Sequence, residues 1–379
     1  MWKLIIVILL FCPTILRGQQ INWKTISDIQ KTIKSETINN KVFYSQFDWY
    51  SPREGGSLQS RYFDYTKKKP LIYGVDFYYA TGTWFTDQSK ILCRNNLISI
   101  IRSAWERDKA IPCFSWHLEN PYIPSGTELY MGCRYRTGYP GYPEQHKNII
   151  KEILNNEGEL CGFGNYSGKD NEVTYSNPRI WFEARCKEVA DIINELTDKK
   201  GKRIPIIIRL WHECEDDWMW WGASSCSIEE YKKFFILTQK LIRKYLKREQ
   251  ILWAYCTDQY FSNEKEYIRR YPGNRYVDIL GYDDYSISKP DKLDLCIKRA
   301  QCISNLSYKY NKICAIFETS NNYEITKEYF FRNCISKIIT ADRVNLGIFQ
   351  MWTSDNFNTI DEKVDRKWFL EQPYIIVKQ

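Results

Sequence analysis

Two glutamates each close a strongly apolar segment, and this placement could support hydrolysis of a glycosidic bond. Glu213 follows the stretch 206–212 (IIIRLWH), and Glu318 follows the stretch 313–317 (ICAIF). Two carboxyl groups that flank one glycosidic bond can divide the work, because a protonated one donates to the leaving oxygen while an ionised one attacks the anomeric carbon. Either glutamate alone could equally be a buried ion-pair partner, for example of Arg209, since a buried carboxylate is costly unless it is paired.

Other polar or aromatic side chains end strand-like segments in the same way. They are Asp76, Trp116, His117, His212, Asp283, Asp284, Tyr285 and Trp352. The chain has only three histidines, so two at such positions favour function, although each could be a core histidine satisfied by its neighbours. We expect Asp76 and Asp284 to have structural roles, Arg209 to pair with a carboxylate, and Trp220 and Trp221 to pack in the interior.

The elements that would position these side chains are eight short apolar segments separated by amphipathic stretches. The strand-like segments are 42–49, 71–77, 110–117, 204–212, 251–256, 276–285, 312–318 and 346–352. The helical patterns between them include 90–107, 178–197, 227–246, 291–310 and 326–340. Short, wholly apolar runs are typical of parallel strands buried on both faces.

Eight strand–helix units are the number that closes a barrel, and the sequence therefore predicts a single (β/α)8 TIM barrel of the α/β class. A doubly wound open sheet is the main alternative, but no glycine-rich phosphate turn follows any of the strands. In a barrel, strands four and seven lie across from each other, and the carboxyl ends of all strands meet at one mouth. The glycine-rich stretch 120–178 predicts an elaborated loop after strand three, with a short helix near 144–155, that forms one wall of a cleft.

The first residues have the pattern of a cleavable secretory signal. A short positive region, an apolar run over 4–11 and a small residue at Gly18 are followed by Gln19. The run is too short to span a bilayer, and Phe11 is too large for the small residue that lipid attachment at Cys12 would want. We therefore expect a signal peptide over 1–18 and a secreted protein (extracellular, periplasmic or at the cell surface) with one domain over 19–379, its barrel core over about 40–355.

Composition narrows the partners. The chain has 14 Trp, 28 Tyr and 18 Phe, which suits aromatic contacts with sugar rings as well as packing in a large core. The net charge of +8 is spread among acids without a basic stripe interleaved with aromatics, so nucleic acid is not an expected partner. Several of the 13 cysteines sit in apolar runs, notably Cys113, Cys256 and Cys314. Others could form disulfides, namely Cys93, Cys133, Cys161, Cys226, Cys296, Cys302 and Cys334.

One segment of the sequence, residues 209–222, resembles a motif of a known family. The motif RLWHE over 209–213, followed by WMWWG over 218–222, resembles the strand-four signature of glycoside hydrolase family 26, the β-mannanase family. The segments YGVD over 73–76, FSWH over 114–117, DILGYDDY over 278–285 and FET over 317–319 agree with it in order. The resemblance covers about residues 40–355. One departure is the acidic stretch Cys214–Asp217 after Glu213, which could raise the pKa of Glu213 by charge repulsion or reshape a subsite.

The resemblance implies roles for particular residues. Glu213 would be the acid/base and Glu318 the nucleophile, with Tyr285 orienting Glu318. Six residues, including Tyr285, would bind substrate: His117, His212, Trp218, Asp283, Tyr285 and Trp352. It also implies a retaining endo-β-1,4-mannanase that acts on mannan, galactomannan or glucomannan and needs no cofactor or metal. We expect the secreted protein to be a monomer without a membrane span.

Three alternatives remain open from the sequence. A retaining β-glycanase of the same fold could act on β-1,3-xylan or mixed-linkage β-glucan. A non-catalytic carbohydrate-binding barrel would need neither glutamate. A metal-dependent hydrolase could use His117, His212, Glu213 and Asp283.

Overall fold

A computed structural model describes residues 21, 23–47, 63, 65–81, 87–122, 133–134, 148–160, 175–321, 329–352 and 360–378. Residues 1–18, where a signal peptide is expected, lie outside this set. Most of the segment between strands three and four also lies outside it. Its short helix is described as Ile149–Asn155.

Eight parallel strands form a closed barrel. They are β1 (Val42–Phe47), β2 (Ile72–Asp76), β3 (Ile111–Ser115), β4 (Ile206–Leu210), β5 (Ile251–Thr257), β6 (Ile279–Asp283), β7 (Ile313–Glu318) and β8 (Ile348–Met351). Neighbours in sequence pair around the sheet, and β1 pairs with both β2 and β8, which closes it. Every residue of the eight strands is buried, as two-sided covering requires. The predicted (β/α)8 TIM barrel is therefore confirmed, with one strand in each of the eight predicted segments.

Helices cover the outside of the barrel. They are α1 (Ile26–Ile38), α2 (Asp87–Asp108), α3 (Ile149–Asn155), α4 (Pro178–Glu195), α5 (Ile228–Tyr245), α6 (Glu264–Tyr267), α7 (Leu293–Tyr310), α8 (Ser336–Ile339) and α9 (Ile360–Leu370). A π-helical turn, Phe331–Ile335, leads into α8, and a short strand β9 (Ile375–Ile376) pairs with β1. Within the described residues, no helix combines the length and apolarity that crossing a bilayer requires.

The helix starts are fixed by their local sequence. Ser227 caps α5 because its hydroxyl accepts a hydrogen bond from the amide of Glu230. The Glu230 carboxylate in turn accepts a hydrogen bond from the Ser227 amide. Asn177 caps α4, and Pro178 occupies its first turn, where a missing N–H costs nothing. These caps set where α4 and α5 begin on the outer face of the barrel.

An aromatic cluster joins β3 and β4 to the covering helices α4 and α5. The rings of Trp116 and Trp211 stack with centroids 5.3 Å apart, and Phe234 of α5 lies 4.7 Å from Trp211. Trp220 and Trp221 are buried beside Trp211 at 5.8 and 5.2 Å. Trp220 and Trp221 are thus packing residues, as their sequence context predicted.

The cysteines differ from part of the expectation. Cys113, Cys256 and Cys314 are buried, as predicted. Four cysteines considered for disulfides instead have free thiols, because no described cysteine partner lies opposite them: Cys226, Cys296, Cys302 and Cys334. Cys161 lies outside the described residues.

Candidate active site

Glu213 and Glu318 lie at the mouth of the barrel, at the carboxyl ends of opposite strands. Glu318 is the last residue of β7, and Glu213 lies three residues beyond the end of β4. Trp211 and Glu213 have φ angles of 49° and 54°. This left-handed backbone is unfavourable for bulky side chains and concentrates at functional sites. Both glutamates are nearly buried, at 5% and 3% exposure.

Both oxygens of Glu318 are held by neighbouring donors. Arg209 of β4 donates from Nη2 to Oε1 in a short ion pair, and the Tyr285 hydroxyl donates to Oε2 at 2.9 Å. Burial raises the pKa of Tyr285 well above its usual value, and the negative charge of Glu318 raises it further. Tyr285 therefore keeps its hydrogen and remains a donor to the Glu318 carboxylate.

Asp283 shares the Arg209 guanidinium with Glu318. Nη1 of Arg209 donates to Oδ2 of Asp283 at 2.7 Å, and the Cys256 thiol donates to Oδ1 at 3.2 Å. The pairing of β6 with β7 shifts register between Tyr282 and Asp283, so that Asp283 lies opposite Glu318. This irregularity brings two carboxylates to one arginine, and the predicted pairing of Arg209 with a carboxylate at the mouth is confirmed.

Glu213 has a different electrostatic setting. Burial raises its pKa well above the usual value, and the negative charges of Glu318 and Asp283 raise it further, against the opposing charge of Arg209. Asp258 makes a smaller contribution in the same direction. A raised pKa favours the protonated form of Glu213, which can act as an acid.

Two histidines connect Glu318 to Asp76. Nδ1 of His117 lies 2.5 Å from Oδ2 of Asp76, and its Nε2 lies 3.2 Å from Nε2 of His212. Nε2 of His212 is in turn 3.9 Å from Oε1 of Glu318. Burial lowers the pKa of His212 well below its usual value, and the charge of Arg209 lowers it further, so that His212 is neutral.

Asp76 is an interior anchor for His117, which agrees with the structural role expected for it. Its carboxylate accepts hydrogen bonds from Ser115 Oγ at 2.6 Å and from the His117 amide at 3.1 Å. Burial alone would raise the pKa of Asp76, but the charge of His117 and these hydrogen bonds outweigh it and lower the pKa. Asp284 is likewise structural, since it pairs with Arg299 at 3.1 Å.

Two half-buried tryptophans lie near the mouth. Trp352, directly after β8, stacks on Phe47 with centroids 3.9 Å apart and lies 6.1 Å from the His117 ring. The Arg134 guanidinium lies over the Trp218 ring, 4.1 Å from its centroid. Trp352 is thus beside the histidine pair, whereas one face of Trp218 is already covered by an arginine.

A metal ion at this mouth would meet a competing cation. His212, Asp283 and Glu318 offer ligand atoms that lie within 4.8 Å of one another. Arg209 already donates to both carboxylates, so a divalent cation would have to displace a buried, hydrogen-bonded guanidinium. The arrangement therefore favours a charge-paired carboxylate site over a metal centre.

The residues at the barrel mouth lie largely within a segment that matches a known protein family. The profile of glycosyl hydrolase family 26 matches residues 173–379, more than half of the chain. The chain belongs to glycosyl hydrolase family 26. This span contains both glutamates, Arg209, His212 and Asp283.

Relatives of the family 26 chain include two bacterial proteins and a solved structure. A mannan endo-1,4-beta-mannosidase from Bacillus subtilis is 27% identical over 258 residues, which cover 65% of this chain and 59% of the relative. Another from Bifidobacterium adolescentis is 30% identical over 166 residues, 42% of this chain and 15% of the relative. The chain thus spans less than two thirds of either relative. GH26C from Muricauda sp. has the same fold, with a TM-score of 0.72 at 22% identity, covering 92% of this chain and 90% of that one.

One residue near the mouth was not predicted from the sequence. Asp258, one residue past β5, accepts hydrogen bonds from the amides of Glu215 and Tyr260, both at 2.9 Å. Burial raises the pKa of Asp258 to about 6, against those two hydrogen bonds, and the charges of Asp216 and Glu215 add to the rise. The sequence did contain a signal for Asp258, because it follows an apolar strand just as the residues listed at the other strand ends do.

The acidic stretch Cys214–Asp217 is not among the main causes of the raised pKa of Glu213. Glu215 is held by Arg269 at 2.5 Å and lies 3.4 Å from Arg270. The groups that raise the pKa of Glu213 most are its burial, Glu318 and Asp283, and not this stretch. Because Asp258 and the two arginines fix Glu215, they also fix the loop that carries Glu213.

Proposed function

We propose that this chain is a secreted, retaining endo-β-1,4-mannanase, with Glu213 as the acid/base and Glu318 as the nucleophile. The supporting observation is the asymmetry between the two carboxyl groups. Glu318 accepts hydrogen bonds from Arg209 and Tyr285, two donors that stabilise a negative charge, whereas burial and two negative neighbours favour the protonated form of Glu213. Such a pair matches the division of roles in double displacement.

The reaction would take place in two steps. In the first, a Glu318 oxygen attacks the anomeric carbon, the bond to the leaving oxygen breaks, and Glu213 gives its proton to that oxygen. In the second, Glu213 takes a proton from water, which attacks the anomeric carbon and releases Glu318. His117, His212 and Trp352 would line the central subsite, since they lie together beside Glu318. Trp218 and Asp283 are proposed as further substrate contacts.

Mannan is proposed as the substrate because the relatives from Bacillus subtilis and Bifidobacterium adolescentis are named mannan endo-1,4-beta-mannosidases. β-1,3-xylan and mixed-linkage β-glucan are the alternatives. A panel of galactomannan, glucomannan, β-1,3-xylan and mixed-linkage glucan tests the choice by product analysis. Internal cleavage of the mannans is the expected result, and cleavage of another polymer without manno-oligosaccharide products would contradict it.

The carboxylate roles are tested with Glu213→Gln and Glu318→Gln. Each variant should lose at least about 10³-fold in kcat, because each removes a group needed for bond cleavage. Glu229→Gln, an exposed change on α5, is the matched control and should retain wild-type kcat. The assignment fails if either mouth variant keeps the wild-type rate. Proton NMR of the first products should show retained β configuration.

Secretion is part of the proposal and has its own test. Expression of the full chain in a secreting host should give an extracellular protein whose first residue is Gln19. N-terminal sequencing of the exported protein measures this directly. Retention of residues 1–18, or accumulation inside the cell, would contradict it.

A further inference from the structure

A group of basic residues gathers at the end of the barrel opposite the mouth. The turn 197–203 (TDKKGKR) leads toward β4, Lys109 lies just before β3, and Arg248 lies just before β5. Lys24 precedes α1 at the same end. These segments are distant in sequence, so their common location is visible only in the fold.

The basic residues line a concave surface. Two adjoining cavities of about 590 and 650 Å³ share Glu106, Asp198 and Lys199 in their walls. Together they are lined by nine basic and three acidic residues. We call the two cavities together the basic groove.

The three acidic residues of the basic groove are bound to backbone amides. Asp28 accepts from the amides of Lys24 and Thr25 at the start of α1. Glu106 accepts from the amide of Lys199 at 2.7 Å. Asp198 accepts from the amides of Lys200 and Lys202, both at 2.8 Å. Their carboxylates are therefore turned toward the main chain and not toward the basic side chains.

Three of the nine basic residues have hydrogen-bond or ion-pair partners, and the ammonium of a fourth, Lys109, lies 4.9 Å from the Trp105 ring centroid. Arg102 and Arg203 donate to backbone carbonyls, and Arg107 pairs with Asp108. Six have no carboxylate within 4.0 Å anywhere in the described part of the chain: Lys24, Lys109, Lys199, Lys200, Lys202 and Arg248. Gly201, with φ of 72° and open space around its α-carbon, forms the tight turn that separates Lys200 from Lys202.

We propose that the basic groove binds a polyanionic glycan, a saccharide chain that bears sulfate or phosphate groups. Several cations without counter-ions along a continuous concavity create a positive potential that suits charges repeated along a polymer. Mannan is uncharged and would gain nothing from these cations. The basic groove is thus a second binding site, separate from the mouth.

Exposure of the aromatic residues favours a glycan over a membrane or a nucleic acid. Trp23 and Trp105 lie under the basic groove and are only 1% and 3% exposed. They are not available to insert into a lipid interface or to stack on unpaired bases, which such surfaces commonly require. A bilayer surface is also too flat to enter a concave site.

The test is binding of a heparin octasaccharide, used as a sulfated probe, to wild type and to Lys200→Glu/Lys202→Glu by isothermal titration calorimetry. The matched control is Lys233→Glu/Lys240→Glu, which changes the same net charge at exposed positions of α5. We expect the groove variant to weaken Kd at least tenfold and the control to stay within about twofold. Binding to wild type should weaken steeply as salt rises, because the contacts are exposed charge pairs.

Several outcomes would overturn the proposal. They are unchanged binding in the groove variant, equal loss in both variants, or equally tight binding of fully desulfated heparin. Tighter binding of phosphatidylglycerol vesicles or of a single-stranded oligonucleotide through Lys200 and Lys202 would assign the groove to another partner class. Because the measurement requires no hydrolysis, its result is independent of the proposed mannanase activity. That activity should be unchanged in the groove variant on soluble manno-oligosaccharides.

Discussion

Glu213 and Glu318 have the same side chain in two different surroundings. Glu318 receives a guanidinium and a phenol hydroxyl, both of which stabilise a negative charge. Glu213 is nearly buried at 5% exposure and lies near two other carboxylates. The difference between the proposed acid and the proposed nucleophile therefore comes from neighbouring residues and not from the glutamates themselves.

The Tyr285 hydroxyl offers a direct test of this difference. Tyr285→Phe removes the donor to Oε2 of Glu318 and should lower kcat by about 10- to 100-fold, because hydrogen bonds to charged groups contribute about 1.5–3 kcal/mol. Steady-state kinetics on manno-oligosaccharides measure the effect. Tyr308→Phe, at an exposed tyrosine of α7, is the matched control and should not change kcat. A Tyr285→Phe enzyme with wild-type kcat would show that Glu318 does not depend on this contact.

Asp258 should influence the pH profile through Glu213. Ionised Asp258 raises the pKa of Glu213, so Asp258→Asn should lower that pKa and move the alkaline limb of kcat/KM to lower pH. Because the pKa of Asp258 is about 6, the difference should be present above pH 6 and disappear below it. A shift toward higher pH would contradict the electrostatic account.

At the scale of elements, the connection between β4 and α5 holds the proposed acid/base. Its backbone is left-handed at Trp211 and Glu213, and Trp221 Nε1 donates to the His212 carbonyl at 2.8 Å. Further along, the amide of Ala223 donates to the Asp216 carbonyl at 2.9 Å. These contacts fix the backbone of the connection between β4 and α5.

Gly222 lies at the closest approach within this connection. A β-carbon at Gly222 would come within 2.2 Å of the Asp216 carbonyl oxygen, so Gly222→Ala must displace the segment that carries Trp218. We expect kcat/KM on mannan to fall at least about tenfold, since small displacements of positioned groups reduce rates strongly. Gly201→Ala is the control, with open space but a positive φ. It should lower stability by about 1 kcal/mol and leave activity unchanged. Equal activity of the two variants would argue against the steric account.

The sequence predicted the elements better than the contacts between them. Strands buried on both faces are continuous apolar runs, so all eight could be placed, and their polar ends indicated the mouth residues. The short distance between His117 and His212, and the sharing of Arg209 by Asp283 and Glu318, depend on how separate strands meet. The basic groove could not be predicted for the same reason, because its basic residues come from four separate segments of the chain. The pairing of Glu215 with Arg269, far along the chain, could not be predicted from the acidic stretch itself.

At the scale of the whole molecule, the chain closes on itself around β1. β1 pairs with β2 and β8, and its first two residues also pair with β9 near the end of the chain. Beside these strands, Arg366 of α9 donates to the Tyr44 hydroxyl and to Gln46 Oε1 at 2.6 and 3.0 Å. The C-terminal segment is therefore part of the closed barrel and not an appendage.

The cysteines that the structure describes with free thiols should make no contribution to stability that depends on an oxidising environment. The thiols of Cys226, Cys296, Cys302 and Cys334 are free, and burial raises the pKa of Cys113 to about 12 and that of Cys314 to about 12. The thiols of Cys113 and Cys314 are thus poor nucleophiles. Differential scanning calorimetry with and without a reductant should give Tm values within about 1 °C. A drop of several degrees would indicate a stabilising disulfide, since such bonds commonly contribute about 2–4 kcal/mol.

The left-handed backbone at Glu213 has a consequence for the stability of this chain. Any L-residue at this position costs the fold about 1–2 kcal/mol relative to glycine, and a buried acid beside two others adds to that cost. Glu213→Gly should therefore relieve part of this cost while removing the proposed acid/base.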